Sequence, residues 1–196
     1  MQFINKEFTK TLEIKKSKFI THICPYANFK DMMNRLRKDH PKARHFVYAY
    51  RYLNEFDQIV ENSSDDGEPK GTSGRPTLSV LSGAKIINSA VIVVRYFGGI
   101  KLGTGGLVKA YSDAVNLVLK SSQLNCYVKL EQKSLEISYS QLSQIEYLIN
   151  KFNIQIKNKV FNDRIILTLE SSSEEFDKLS KELFLDCKLI DSSKEI

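Results

Sequence analysis

Apolar and polar positions alternate in the first stretch of this chain, then change period several times. Residues 11–14 and 19–23 read as two short strands, with the basic tract Lys15, Lys16 and Lys18 between them. Phe29, Met32, Met33 and Leu36 recur at helical spacing behind Asn28, which predicts a helix capped by Asn28 and running to about Asp39. Two methionines on that stripe are core filler. Residues 44–51 (RHFVYAYR) alternate again, with Phe46, Tyr48 and Tyr50 on one side. An aromatic strand of this kind can stack bases. It lacks the glycines of the RNA-recognition signature, so the expected role of its rings is packing against a helix.

Residues 52–75 have little periodicity and many Asn, Ser, Asp and Gly residues, which predicts a long irregular connection. Pro76 suits the first turn of a helix to about Ala84, with Leu78 and Leu81 inward. Residues 90–94 (AVIVV) are unbroken and β-branched, the pattern of a strand buried on both faces. Beyond a glycine-rich loop, Leu107, Val108, Tyr111, Ala114, Val115 and Val118 form the apolar face of another helix.

Near residue 131 the pattern restarts. Leu135, Ile137 and Tyr139 alternate, and Leu142, Ile145, Leu148 and Ile149 have helical spacing. Strands are expected near residues 154–156 and 165–169. Ser172 and Glu175 form a capping box ahead of a helix with Phe176, Leu179 and Leu183 inward, and a last strand follows at residues 187–190. The order β-α-β-β-α-β is that of a ferredoxin-like domain. The prediction is therefore an α+β chain with domains at residues 1–131 and 132–196.

Charge sharpens this division. Residues 1–131 carry 20 lysines and arginines against 12 acids, whereas residues 132–196 carry 9 against 11. A polyanionic partner should meet the first domain. Cys24, Cys126 and Cys187 are odd in number and widely spaced, which argues against a disulfide framework and for a reducing, cytoplasmic setting. The first residues, MQFINKEFTK, lack the apolar core of a signal peptide, and no apolar run is long enough to span a bilayer. No membrane association is expected.

The chemistry concentrates in two loops. VRYFGGIKLGTGGLVKAY holds Gly98, Gly99, Gly103, Gly105 and Gly106, flanked by Arg95, Lys101 and Lys109. A helix opening after such a loop presents unpaired N–H groups and the positive end of its dipole, a seat for an oxyanion. Gly98 and Gly103 have Walker A separation, but Thr104 and Gly105 stand where that loop needs Lys and Ser or Thr. A dinucleotide fingerprint from Gly103 fails at Val108. Anion binding without a cofactor is the reading. The second loop, SSDDGEPKGTSGRP, groups Asp65, Asp66 and Glu68 ahead of Arg75. Three such carboxylates are candidates for Mg²⁺ binding or acid–base work, but turn carboxylates more often accept hydrogen bonds from their own loop. No metal site is assigned, and the alternative of a metal-assisted hydrolase rests on these three residues. His45, beside a strand, is the best placed histidine, and no catalytic role is given to it.

Together SDDGEPKGTSGRP and VIVVRYFGGIKLGTGGLVKAY closely resemble the signature of the YigZ/IMPACT family, and ARHFVYAY and EIKKSKFI are similar to its preceding segments. The resemblance implies a first domain like domain 2 of ribosomal protein S5. It also implies a second, ferredoxin-like domain similar to the last domain of elongation factor G. Eukaryotic relatives regulate translation through a protein partner, and nucleic-acid or ribosome binding is proposed for bacterial ones. The expectation is a cytoplasmic, non-enzymatic protein that binds RNA or the ribosome. Arg95, Lys101 and Lys109 would neutralise phosphates, amides of Gly98, Gly99, Gly103, Thr104, Gly105 and Gly106 would bind their oxygens, and Arg75 would assist. Tyr96 and Phe97 are available for stacking. A protein-interaction module without nucleic acid is the remaining alternative.

Overall fold

The unbroken apolar run becomes the middle of a sheet. In this computed structural model, which describes residues 1–183, 187 and 189–191, the chain divides into units Met1–Tyr127 and Val128–Ile196. The first unit holds a short pair, β1 (Gln2–Phe3) with β7 (Asn125–Cys126), and a five-stranded antiparallel sheet. Its strands are β2 (Phe8–Ile14), β3 (Ser17–Pro25), β4 (His45–Leu53), β5 (Ile59–Ser64) and β6 (Ser89–Tyr96), in the order β2-β3-β6-β4-β5. Three helices complete it: α1 (Phe29–Asp39), α2 (Gly74–Gly83) and α3 (Gly103–Ser121).

β6 is buried from Ser89 to Arg95, and its alternate side chains enter two cores. Val91 and Val93 pack with Phe19, Val47, Leu81 and Tyr111, under α2 and α3. Ala90, Ile92 and Val94 pack with Met32, Leu36 and Phe46, under α1, where Tyr48 and Tyr50 also lie. The aromatic side of β4 thus faces a helix, as its composition suggested.

Three local expectations are corrected. The segment read as irregular contains β5, paired with β4 from Tyr48↔Ser64 to Leu53↔Ile59. As an edge strand, IVENSS needs no apolar alternation, which is why its sequence looks like loop. Val108 is 40% exposed, one step outside the stripe of Leu107, Ala110 and Tyr111. Finally, α3 begins at Gly103, so Gly103, Gly105 and Gly106 belong to its first turn rather than to the loop.

The second unit follows β8 (Glu131–Ile137), α4 (Leu142–Lys151), β9 (Gln155–Phe161), β10 (Ile165–Ser171), α5 (Ser173–Glu182) and β11 (Leu189–Asp191). Its antiparallel sheet runs β11-β8-β10-β9, the ferredoxin-like arrangement. Leu135, Ile137, Ile145, Leu167, Phe176 and Leu179 share its core. Ser172 Oγ accepts from Glu175 N at 3.3 Å, the expected cap. Tyr139 departs from the predicted strand: it sits 56% exposed in a short 3-10 turn that Ser138 and Gln141 cap. Residue 188 of the predicted last strand lies outside the described residues. Among the described residues no helix is long and apolar enough to cross a membrane.

The β2–β3 hairpin turns through Lys15 and Lys16, both with positive φ (46° and 65°), a type I′ geometry that usually takes Asn-Gly. The loop after β6 is laid directly on this turn. A Cβ at Gly98 would stand 2.0 Å from the Lys16 carbonyl carbon, and the Gly98 N–H donates to Ser17 Oγ at 3.1 Å. Gly98→Ala is expected to lower stability by about 1–3 kcal/mol or more, read as a fall in the urea midpoint, because backbone and not a flexible side chain must move.

Candidate functional site

The acidic loop is folded around its own carboxylates. Asp65 accepts from the amides of Gly71 (2.8 Å), Ser73 (3.1 Å) and Gly74 (2.8 Å) and from Ser73 Oγ (2.7 Å). Burial pushes the Asp65 carboxyl up, but these donors outweigh it and hold it below its ordinary value. Asp66 and Gly67 make the turn, with φ of 41° and 86°. Asp66 Oδ2 accepts from Phe46 N at 2.6 Å, and Oδ1 lies 3.4 Å from Arg37. His45 Nδ1–H donates to the Asp66 carbonyl at 2.9 Å, so in the neutral ring Nε2 carries the lone pair.

Glu68 points inward. Its Oε1 pairs with Arg95 and accepts from Tyr111 Oη at 2.8 Å, all three side chains being buried. Burial, and next the Glu68 charge, push the Tyr111 phenol well up. The Arg95 guanidinium also lies over the rings of Phe19 (5.3 Å) and Phe97 (5.8 Å). One alternative loses its site here, and one expectation changes. Asp65, Asp66 and Glu68 do not converge, each serving a different internal partner, and among the described residues no set of three or more His, Cys, Asp or Glu is placed to share a metal. Arg95 is not a free cation for phosphate: it is 5% exposed and its charge is balanced by Glu68.

Above this buried pair is a recess of about 390 Å³, lined among others by Arg44, His45, Glu68, Arg95, Phe97, Lys101, Gly103 and Thr104. One wall is the start of α3. Its N-cap position is Leu102, which has no side-chain acceptor to offer, and no acceptor among the described residues meets the amides of Gly103, Thr104 and Gly105. A nineteen-residue helix thus begins bare, with its positive dipole end facing outward. Gly103 requires its φ of +74°, but Gly105 has an ordinary φ and nothing within 4 Å of where a Cβ would stand.

The fold gathers only part of the nominated set. Lys101, Gly103 and Thr104 line the recess, with Gly105 on the same first turn. Lys109 and Gly106 line another recess with Lys15 and Asp113, and Arg75 a third with Asp65 and Lys70. The Gly98 amide is spent on Ser17, and Tyr96 is turned to His40, whose Nδ1 is 3.0 Å from its hydroxyl. Arg44 was missed. Its position two residues after Lys42, ahead of the aromatic strand, was the available signal.

Asp65 contributes stability above the carboxylate range that is lost as pH falls through its depressed folded value. Asp65→Asn should therefore cost about 2 kcal/mol at neutral pH and flatten the acid limb of a stability–pH curve. Within the buried cluster, Tyr111→Phe should cost about 1 kcal/mol. Arg95→Met, leaving Glu68 charged and unpaired, should cost about 3–5 kcal/mol by denaturant melts.

Comparison with known proteins matches the same residues. The Impact N-terminal domain family matches residues 15–119, and a domain of unknown function (DUF1949) matches residues 135–184. An IMPACT family member of Haemophilus influenzae is 37% identical over 174 residues, covering 87% of this chain and 84% of that protein. IMPACT family member YigZ of Escherichia coli is 39% identical over 158 residues, covering 79% and 78%. A crystal structure described as that of a hypothetical protein superposes with a TM-score of 0.67 at 33% identity, covering 99% of this chain and 98% of the other. With its bare helix start, its inward-turned acidic loop and these two domains, the chain belongs to the IMPACT family.

Proposed function

We propose that this protein binds RNA phosphates, on the ribosome or near it, and through that contact regulates translation in the cytoplasm. Binding rather than catalysis is the activity, and the first unit carries it. The observation behind this reading is the start of α3: three amides without an acceptor, an apolar N-cap, and a glycine at 105 that neither backbone geometry nor crowding requires. Open space lies around that position, on the same first turn as Gly103 and Thr104, which line the recess. Lys101 and Arg44 add positive charge at the rim, on the more basic part of the chain. The family supports the same reading, since the resemblance implies a role in translation.

Co-sedimentation with ribosomes at low and raised salt tests it. Binding should weaken with salt, and Lys101→Ala should weaken it for every RNA sequence while reducing the slope of log K against log salt by about one unit. Gly105→Ala should weaken binding while stabilising the fold by up to about 1 kcal/mol, as alanine suits a helix better than glycine. A partner that survives nuclease treatment, with an unchanged salt slope for Lys101→Ala, would replace this reading by a protein-interaction module.

A further inference from the structure

We infer that the recess at the start of α3 receives a terminal phosphate monoester of a nucleotide, with the base against Phe97, rather than a phosphodiester passing across the surface. The inference rests on the RNA-binding reading and narrows it to a chain end or a free nucleotide.

The donors and the two cations suit a dianion better than a singly charged diester. The amides of Gly103, Thr104 and Gly105 are without acceptors, Thr104 offers a hydroxyl, and Lys101 and Arg44 are cations at the same recess. A diester carries one negative charge and two free oxygens, whereas a monoester carries about −1.5 to −2 near neutral pH and three acceptor oxygens. A second, independent sign comes from inside. Arg95 lines the recess and is 5% exposed, yet its Nε has no hydrogen-bond partner. Buried donors are nearly always satisfied, so an idle one on a residue that lines the recess sets this site apart from an ordinary helix start. Glu68 is the one acid in the lining, and Arg95 and Tyr111 already neutralise it from below.

Size and shape agree. About 390 Å³ falls within the range of small-molecule pockets and admits a mononucleotide rather than a duplex. Phe97 is 50% exposed at the rim, with the Arg95 guanidinium on its ring. An aromatic face held in that way is a stacking platform for a base of any identity. His45, with Nδ1–H committed to Asp66, presents Nε2 as a hydrogen-bond acceptor for a ribose hydroxyl.

The test uses the full chain and four probes measured by calorimetry: a short oligouridylate with a 5′-phosphate, the same oligomer with a 5′-hydroxyl, uridine 5′-monophosphate, and inorganic phosphate. The phosphorylated oligomer should bind about tenfold tighter than the hydroxyl form, consistent with one or more added charge-assisted hydrogen bonds. Thr104→Val, close to isosteric and at an exposed position, should erase most of that preference, with a much smaller loss for the hydroxyl oligomer. Phe97→Ala should weaken uridine monophosphate while leaving inorganic phosphate unchanged. Equal affinity for the two oligomers would overturn the inference and leave RNA binding standing. Binding of uridine monophosphate alone would keep the terminal-phosphate site with a free nucleotide as its source, and remove the RNA reading. No binding by any probe would remove both.

Discussion

A single buried carboxylate oxygen organises the first unit. Glu68 Oε1 takes both the Arg95 guanidinium and the Tyr111 hydroxyl, and so joins the acidic loop to the central strand β6 and to helix α3. Loss of Arg95 or Glu68 would leave a charged group without its partner in a low-dielectric interior, whereas loss of the Tyr111 hydroxyl costs less because Glu68 keeps Arg95. The loop is fixed a second time by Asp65, which gathers three amides and a hydroxyl from residues 71–74 and leads straight into α2. A chain of polar residues with no periodicity is thereby made as definite as a strand.

This arrangement resolves an apparent conflict. Acidic and glycine-rich loops both border one recess, and free carboxylates there would repel an anion. The structure turns the acids inward, where backbone amides, Arg37 and Arg95 neutralise them, and leaves Lys101, Arg44 and uncapped amides at the surface. Arg95 sets the floor of the site, its charge balanced by Glu68 and its Nε without a partner among the described residues. The Arg95 guanidinium also lies 5.8 Å from the centre of the half-exposed Phe97 ring.

The glycines divide by cause. Gly98 is needed because β6 leaves the sheet directly over the Lys16–Ser17 peptide. Gly99 and Gly103 are needed for positive φ. Gly105 is needed for neither, and open space surrounds it at the helix start. The ferredoxin-like unit adds a second core and an acidic balance, and its described residues hold no comparable group of uncommitted donors beside a buried cation.

Much of the fold could be read from the chain because periodicity is a local property. The run 90–94 had to be a strand covered on both sides, the helix stripes at Met32–Leu36 and Leu107–Val118 had to face a core, and the restart near residue 131 carried the β-α-β-β-α-β order. The signature motifs likewise pointed to the family, and the glycines to an anion at a helix start. What the chain could not reveal was which charges remain free. Arg95, Lys101 and Lys109 look alike in one dimension, yet packing buries the first, exposes the second on the recess and turns the third to another face. Arg44 joins the site only because β4 lies beside β6. Strand β5 was hidden because an edge strand is defined by its neighbour and not by its own pattern. Local spacing sets which side chains share a face, but the pairing of charges depends on distances between segments far apart in the chain, and those exist only once the sheet has formed.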